Sequence, residues 1–293
     1  MTQRRDFLKQ AGLLSAFSLM NPGALFAAPA ATGLKAGLQL YTLRDYIGKD
    51  PKGVLAKVAK AGYKEVETYG YSPETHYWGL TPAEFKSVLS ANGLTTPSGH
   101  YDMGAYMRDG NQEVFKAYMA AANACGQQYI TVPSLDASLC KTTDDFKVVA
   151  EKLNKAGELC KAAGLRLGYH NHNFEFKLVN GVAMYDVMLK ETDASLVDFE
   201  MDIYWVVRAG RDPIKLIEAN PKRFPMWHIK DMEKAQPEHN TEIGSGTIDF
   251  KKIMKYAKVA GLQHPFMEQE YFAIDAYQSI AQSAAYMKKN LLS

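Results

Sequence analysis

The chain has 293 residues, 47% of them apolar and 23% charged, with 34 Lys and Arg against 32 Asp and Glu and a formal charge of +2. That length fits one large α/β barrel or two ordinary domains, and it can bury a core that needs no staples. The near-neutral balance gives no electrostatic case for nucleic acid or an anionic membrane, and three cysteines, Cys125, Cys140 and Cys160, are an odd number that argues against a disulfide framework.

The first thirty residues differ from the rest. Paired arginines open the run QRRDFLK (3–9), a short, mildly apolar stretch AGLLSAFSLM (11–20) follows, and NPG leads to the small-residue run AAPA (27–30). This is the order of an export signal, and the apolar stretch is shorter than the roughly 20 residues that span a bilayer. The RRDFLK run resembles a twin-arginine (Tat) signal. Cleavage is expected near Ala28 or Ala30, with the mature protein exported to the periplasm or beyond. Removing residues 1–30 takes away Arg4, Arg5, Lys9 and Asp6 and leaves a formal charge of zero.

From residue 31 a beat recurs: a helical stretch ends in a small residue and glycine, then a short apolar run follows. Examples are AKAGYKEVETYG (59–70), SANGLTTPSGH (90–100), NACGQQYITVPS (123–134), KAAGLRLGYHNH (161–172) and KVAGLQHPFMEQE (258–270). Glycine after a helix is the expected left-handed cap, and a spacing of about 30 residues is one strand–helix unit. Adding KAGLQLYTLRD (35–45), SLVDFEMD (195–202) and FPMWHIKD (224–231) predicts eight strands near 38, 66, 97, 130, 168, 198, 227 and 267. Eight alternating units predict a single (β/α)8 barrel over 31–293. A doubly wound open sheet is the alternative, but LQLYTLRD lacks the glycine-rich turn that fold would favour after its first strand.

Function in such a barrel sits at the carboxyl ends of the strands. Polar residues collect there: Tyr41 and Arg44, Glu65 and Glu67, His100 and Asp102, the run HNHNFE (170–175), Glu200 and Asp202, His228, Lys230 and Asp231, Glu268 and Glu270. Period-two alternation puts Asp198, Glu200 and Asp202 on one face, His228 with Lys230, Glu268 with Glu270, and His170 with His172. One pocket can thus receive carboxylates and imidazoles from four successive strands, a donor set suited to Mn, Co, Zn, Ni, Fe or Mg.

The motifs QLYTLRD, GYKEVETYG, YHNHNFEF, FEMDIYW, WHIKDM and MEQE, in this order, resemble the xylose-isomerase-like TIM-barrel superfamily, in its sugar phosphate isomerase/epimerase branch. The resemblance runs from about residue 35 to the C-terminus. It implies one divalent metal held by residues of strands 5 to 8, with Asp202, His228 and Glu268 as ligands. Many relatives carry a glutamate at the end of strand 5. Here Glu175, reaching back from the loop, is the expected fourth ligand and His170 the alternative. The implied reaction is proton abstraction next to a carbonyl through an enediolate, with the metal as Lewis acid. Sugar isomerisation or epimerisation is the first reading. A lyase or dehydratase acting on a keto-sugar or 3-keto-glycoside is the second, and a non-catalytic sugar-binding barrel the third. An abasic-site endonuclease, also of this superfamily, would need more histidines and a basic groove.

Further candidates follow from position. His172 is a base or an orienting group, and Lys230 stabilises an oxyanion, binds a hydroxyl, or pairs with Asp231 or Glu200. Glu67 and His100 are acid/base, sugar-binding or structurally paired residues. Tyr41, His170, Glu270 and Trp205 are candidate substrate contacts, Tyr204 a candidate stacking ring and Trp78 part of a candidate lid. In EIGSGTIDF (242–250), Gly244 and Gly246 offer backbone N–H groups to a phosphate, or simply make a tight turn.

Overall fold

The computed structural model describes residues 33–293; the expected signal at residues 1–30 lies outside them. Eight strands alternate with helices: β1 (Gly37–Gln39), β2 (Glu65–Thr68), β3 (Thr95–His100), β4 (Tyr129–Val132), β5 (Arg166–His170), β6 (Val197–Asp202), β7 (Met226–Ile229) and β8 (His264–Met267). All pair in parallel and close in the order β1-β8-β7-β6-β5-β4-β3-β2. The expected (β/α)8 barrel is the fold observed. Among the described residues no helix is long and apolar enough to cross a membrane.

Local chemistry sets the boundaries. The helix Pro51–Ala61 ends on Gly62 at φ 107°, and Glu113–Cys125 ends on Gly126 at φ 80°, left-handed values that only glycine adopts cheaply. The longest helix, Thr143–Ala162, opens on a capping box. Thr142 accepts from the Asp145 N–H at 3.1 Å, and the Asp145 carboxylate accepts from the Thr142 N–H at 2.8 Å. Such a cap stabilises by about 1 kcal/mol.

Alternate strand residues face opposite ways. The outward set, including Leu38, Val66, Ile130, Tyr169, Phe199 and Trp227, packs into the core shared with the helices. The inward set is layered. Glu65 with His264, and Asp198 with Arg166, sit at the amino-terminal end. Tyr129, Met226 and Phe266 form an apolar plug above them. Above the plug the inward positions are mostly polar: Gln39, Glu67, Ser98, Thr131, Glu200 and His228 are all buried there. Gly168, which leads into the HNHNFE run, is required by this plug: a Cβ there would meet Thr131 Oγ1 at 2.6 Å and Met226 Cε at 2.9 Å.

Candidate metal centre and active site

The register lifts four side chains to one height at the carboxyl-terminal mouth. β5 ends on His170, which pairs in register with Glu200; Asp202 ends β6 beside His228 of β7; Glu268 follows β8 directly. One donor atom from each of His170, Asp202, His228 and Glu268 lies within 4.8 Å of every other, and all four residues are buried. His170 Nε2 is 3.5 Å from Asp202 Oδ2, and His228 Nδ1 is 3.3 Å from Glu268 Oε2.

Three of these atoms, His170 Nε2, Asp202 Oδ2 and His228 Nδ1, are buried without a hydrogen-bond partner. Unpaired buried polar atoms are costly and rare, and here they converge. Their opposite ends are all fixed. His170 Nδ1 lies 3.0 Å from the Pro133 carbonyl. Asp202 Oδ1 accepts from the Trp205 N–H at 3.1 Å, capping the helix Ile203–Arg208 and leaving Oδ2 free. His228 Nε2 is 2.8 Å from Glu67 Oε2. Two imidazoles and two carboxylates, each oriented by a second partner, fit a divalent transition ion or Mn.

Beneath this group lies a second one, Glu67, His100, Glu200 and His228, also wholly buried. Here most of the atoms satisfy one another, with Glu200 Oε1 left unpaired. His100 Nε2 is 2.7 Å from Glu200 Oε2, and Glu67 accepts from Gln39 Nε2 at 2.7 Å and from Ser98 Oγ at 2.5 Å. Burial works against charge on Glu67, but His100 and His228 outweigh it and hold its carboxyl at about 2. Burial and the adjacent Glu67 push Glu200 well above the usual carboxylate range. Burial alone would discharge His228, yet Glu200 and Glu268 hold its imidazole in the protonated form. The carboxylates crowded around it supply the negative potential that favours a positive charge here.

A cavity of about 530 Å³ opens above the first group. His170, His172, Glu268 and Glu270 line it from β5 and β8 and their loops, and Tyr41, Tyr69, Tyr71, His100, Asp102 and Tyr118 from the β1–β4 half of the barrel. His172 is driven down to about 3 by burial and by His170, so its imidazole is neutral at pH 7. Lys230 donates to Glu268 at 3.2 Å and, in a short contact, to Glu270. Burial opposes its charge, but Glu268 and Asp202 prevail and keep it an ammonium.

Several sequence expectations are placed elsewhere. Glu175 does not reach the ligand group: its carboxylate accepts from the Tyr169 hydroxyl and the His172 N–H, each at 2.9 Å, and it is fully buried on the outward side of β5 with Tyr169. Burial raises it to about 7. The strand 5 position in the four-residue group is taken by His170. Glu67 sits below the cavity, not in its wall. Trp205 does not line the cavity either; it lies behind it, against His172 at 5.6 Å and under Lys230. Tyr204 packs in the core, with its hydroxyl on the Pro237 carbonyl. Lys230 pairs with Glu268 and Glu270, not with Asp231 or Glu200.

The glycine loop after β7 is a turn already filled. The Asp231 carboxylate accepts from the N–H groups of Gly244 (2.8 Å), Gly246 (3.1 Å), Ile248 (3.2 Å) and Met232 (2.8 Å). A Cβ at Gly246 would collide with that carboxylate. The amides that could cradle a phosphate hold the protein's own anion instead.

Glu200, which shares a strand face with Asp202, enters the second group rather than the first. Asn171 ties β5 to β6, accepting from the Asp202 N–H at 3.1 Å. The tyrosine side of the cavity draws on segments far apart in the chain and has no local signature.

Residues 55–290 match the family model described as xylose isomerase-like TIM barrel. The chain belongs to that family. Within it, the chain is 28% identical over 145 residues to inosose dehydratase of Clostridium perfringens, covering 44% of this chain and about half, 48%, of that relative. It is 25% identical over 240 residues to inosose dehydratase of Bacillus licheniformis, covering 70% and 76% of the two chains. Among solved structures, a sugar phosphate isomerase/epimerase from Parabacteroides distasonis is 32% identical, with a TM-score of 0.78 over 92% of this chain and 99% of that one. The D-allulose 3-epimerase of Methylomonas sp. in complex with D-allulose has a TM-score of 0.68 at 14% identity, over 88% and 97% of the chains, and shows a shared fold alone.

Proposed function

We propose that this family member is a divalent-metal-dependent enzyme that removes a proton next to the carbonyl of an unphosphorylated sugar derivative and completes the reaction by β-elimination. His170, Asp202, His228 and Glu268 would hold the ion. The ion, when bound, supplies a Lewis acid that polarises the carbonyl and makes its neighbouring C–H more acidic.

The carrying observation is the unequal pair of groups flanking the four-residue cluster. On the β5 side stands His172, held neutral and able to accept a proton. On the β8 side stands Glu270, hydrogen-bonded by the Lys230 ammonium. His172 takes the C–H proton, and that bond's electron pair becomes the new C=C. The C–O bond on the next carbon breaks with its pair on oxygen. The Lys230 ammonium, held beside the Glu270 carboxylate, hands that oxygen a proton, so the leaving group departs as water or an alcohol. The names of the curated relatives, inosose dehydratases, support elimination.

Isomerisation or epimerisation is the second reading, favoured by the name of the 32% identical solved structure. It uses the same proton removal and differs in where the proton returns. Incubating metal-loaded protein with keto-sugars in D2O and following it by NMR separates the two. Alkene signals are expected; a deuterated epimer or isomer without alkene contradicts the elimination step.

A phosphate finds no support: no lysine or arginine is among the described residues lining the cavity, and Asp231 fills the glycine loop. Export by the twin-arginine route, resting on residues 3–30, is part of the same proposal. Arg4→Lys with Arg5→Lys should leave the protein in the cytoplasm, and unaltered export would contradict it.

A further inference from the structure

The cavity has two unlike sides, and the four-residue cluster accounts for only one. The other comes from β1 to β4 and their loops. Tyr41 and Tyr69 meet edge to face at 5.1 Å, and Tyr69 rests on Trp78 at 5.3 Å. Deeper in, Tyr71 and Tyr118 are 6.2 Å apart. These rings are braced from behind. Tyr71 packs on Tyr77 at 4.7 Å and Tyr118 on Tyr101 at 5.0 Å, and the Tyr77 and Tyr101 hydroxyls lie 2.7 Å apart. Burial pushes the phenols of Tyr69, Tyr71 and Tyr118 up, so these rings stay neutral. The charged groups on this side stand at its edges: Asp102 beside Tyr118, and Arg44, 4.8 Å over the Tyr41 ring and donating to the carbonyls of Tyr41 and Glu270.

Size points the same way. Cavities that enclose drug-sized ligands run from about 300 to 1,000 Å³, and the 530 Å³ here falls in that range, with room for a ligand that reaches both sides. Rigid, neutral aromatic faces bind flat apolar faces such as those of a sugar ring or an aryl group.

We infer that the substrate is a two-ring glycoside, with one sugar at the His170–Glu268 side and its leaving ring, sugar or aryl, held by Tyr41, Tyr69, Tyr71 and Tyr118. The inference rests on the reading of the cluster side as the reacting end. On that reading the reacting ring carries a carbonyl beside the C–H, the leaving oxygen is glycosidic, and the departing alcohol takes its proton from the Lys230 ammonium.

The test reads binding, not turnover. Mn-loaded full-length protein is titrated with methyl β-glucoside, phenyl β-glucoside and cellobiose, using calorimetry or saturation-transfer NMR. The two-ring ligands should bind about tenfold more tightly than the methyl glycoside, the gain expected of one stacked ring. Tyr69→Ala, and separately the more exposed Tyr41→Ala, should erase that gain while metal content stays the same. Equal affinity for all three ligands, no measurable binding of the two-ring ligands, or a preference that survives both substitutions would overturn the inference. Failure to find an alkene in D2O would contradict the elimination step and leave this result standing.

Discussion

The two ends of the barrel interior carry similar residues in opposite states. At the amino-terminal end, Glu65 is 2.8 Å from His264 Nδ1 and 3.8 Å from Lys35, and Asp198 is gripped by Arg166. Each carboxylate has a cation, and one ring nitrogen, His264 Nε2, is left over without a second orphan beside it. At the carboxyl-terminal end, Glu67, Glu200, Asp202 and Glu268 crowd three histidines, His100, His170 and His228, and three orphaned atoms converge in the upper group. Both ends bury charge, which by itself is weak evidence of stabilisation. The difference lies in whether the charges are matched from within. The lower end is complete as built, whereas the upper one presents the donor set that a dication would complete.

The largest expected effect is at Asp202. Asp202→Asn keeps the helix cap, because asparagine caps as well as aspartate, but it replaces the free Oδ2 by an amide. Turnover should fall by at least about a thousandfold, on the order of 4 kcal/mol, with the melting temperature of the metal-free protein little changed. A variant that keeps full activity by a product assay would remove Asp202 from the site.

Glu175 sharpens the contrast because it is a buried carboxylate beside the site but outside the group. Its folded value of about 7 lies above the usual 4.5. A raised carboxylate favours folding fully below pH 4.5, and that contribution is lost as pH rises to about 7. The loss is on the order of 3 kcal/mol. Denaturant melts across pH 4 to 8 should show this slope in the parent and not in Glu175→Gln, and the variant should keep its metal. Metal loss in that variant would return Glu175 to the ligand set.

Glu67→Gln weakens the acceptor that faces His228 Nε2. Metal affinity should drop by about 10–100-fold, as for other partners that orient a ligating imidazole, read by competition with a chelator. The smallest effect belongs to the lower end: Asp198→Asn should cost about 1–2 kcal/mol, discounted because Arg166 is partly exposed. Metal affinity should stay where it was. A change in metal binding there would break the distinction between the two ends.

Much of this was legible in the chain. Helix, glycine and apolar run recur with a period that predicts eight strands, and each predicted position falls in its observed strand. Alternation by two then puts Asp202, His228 and Glu268 on the inside. It also puts His170 inside and Tyr169 outside. What sequence does not carry is which partner captures a loop residue: Glu175 sits five positions after His170, near enough to reach in, yet the outward Tyr169 hydroxyl and the His172 amide hold it. The glycine loop is similar, since Gly244 and Gly246 read as an anion cradle until Asp231, thirteen and fifteen residues earlier, is seen inside it. Trp205 lies three residues after Asp202, but the helix that Asp202 caps carries its ring behind Lys230.

The central claim is one ion at the upper end, ligated by His170, Asp202, His228 and Glu268. Anomalous diffraction from crystals of the metal-loaded protein, collected at the absorption edge of the bound element, tests it most directly. A single peak bonded to His170 Nε2, Asp202 Oδ2, His228 Nδ1 and the Glu268 carboxylate is the result predicted. A peak coordinated by Glu175, or by none of these four side chains, would contradict it.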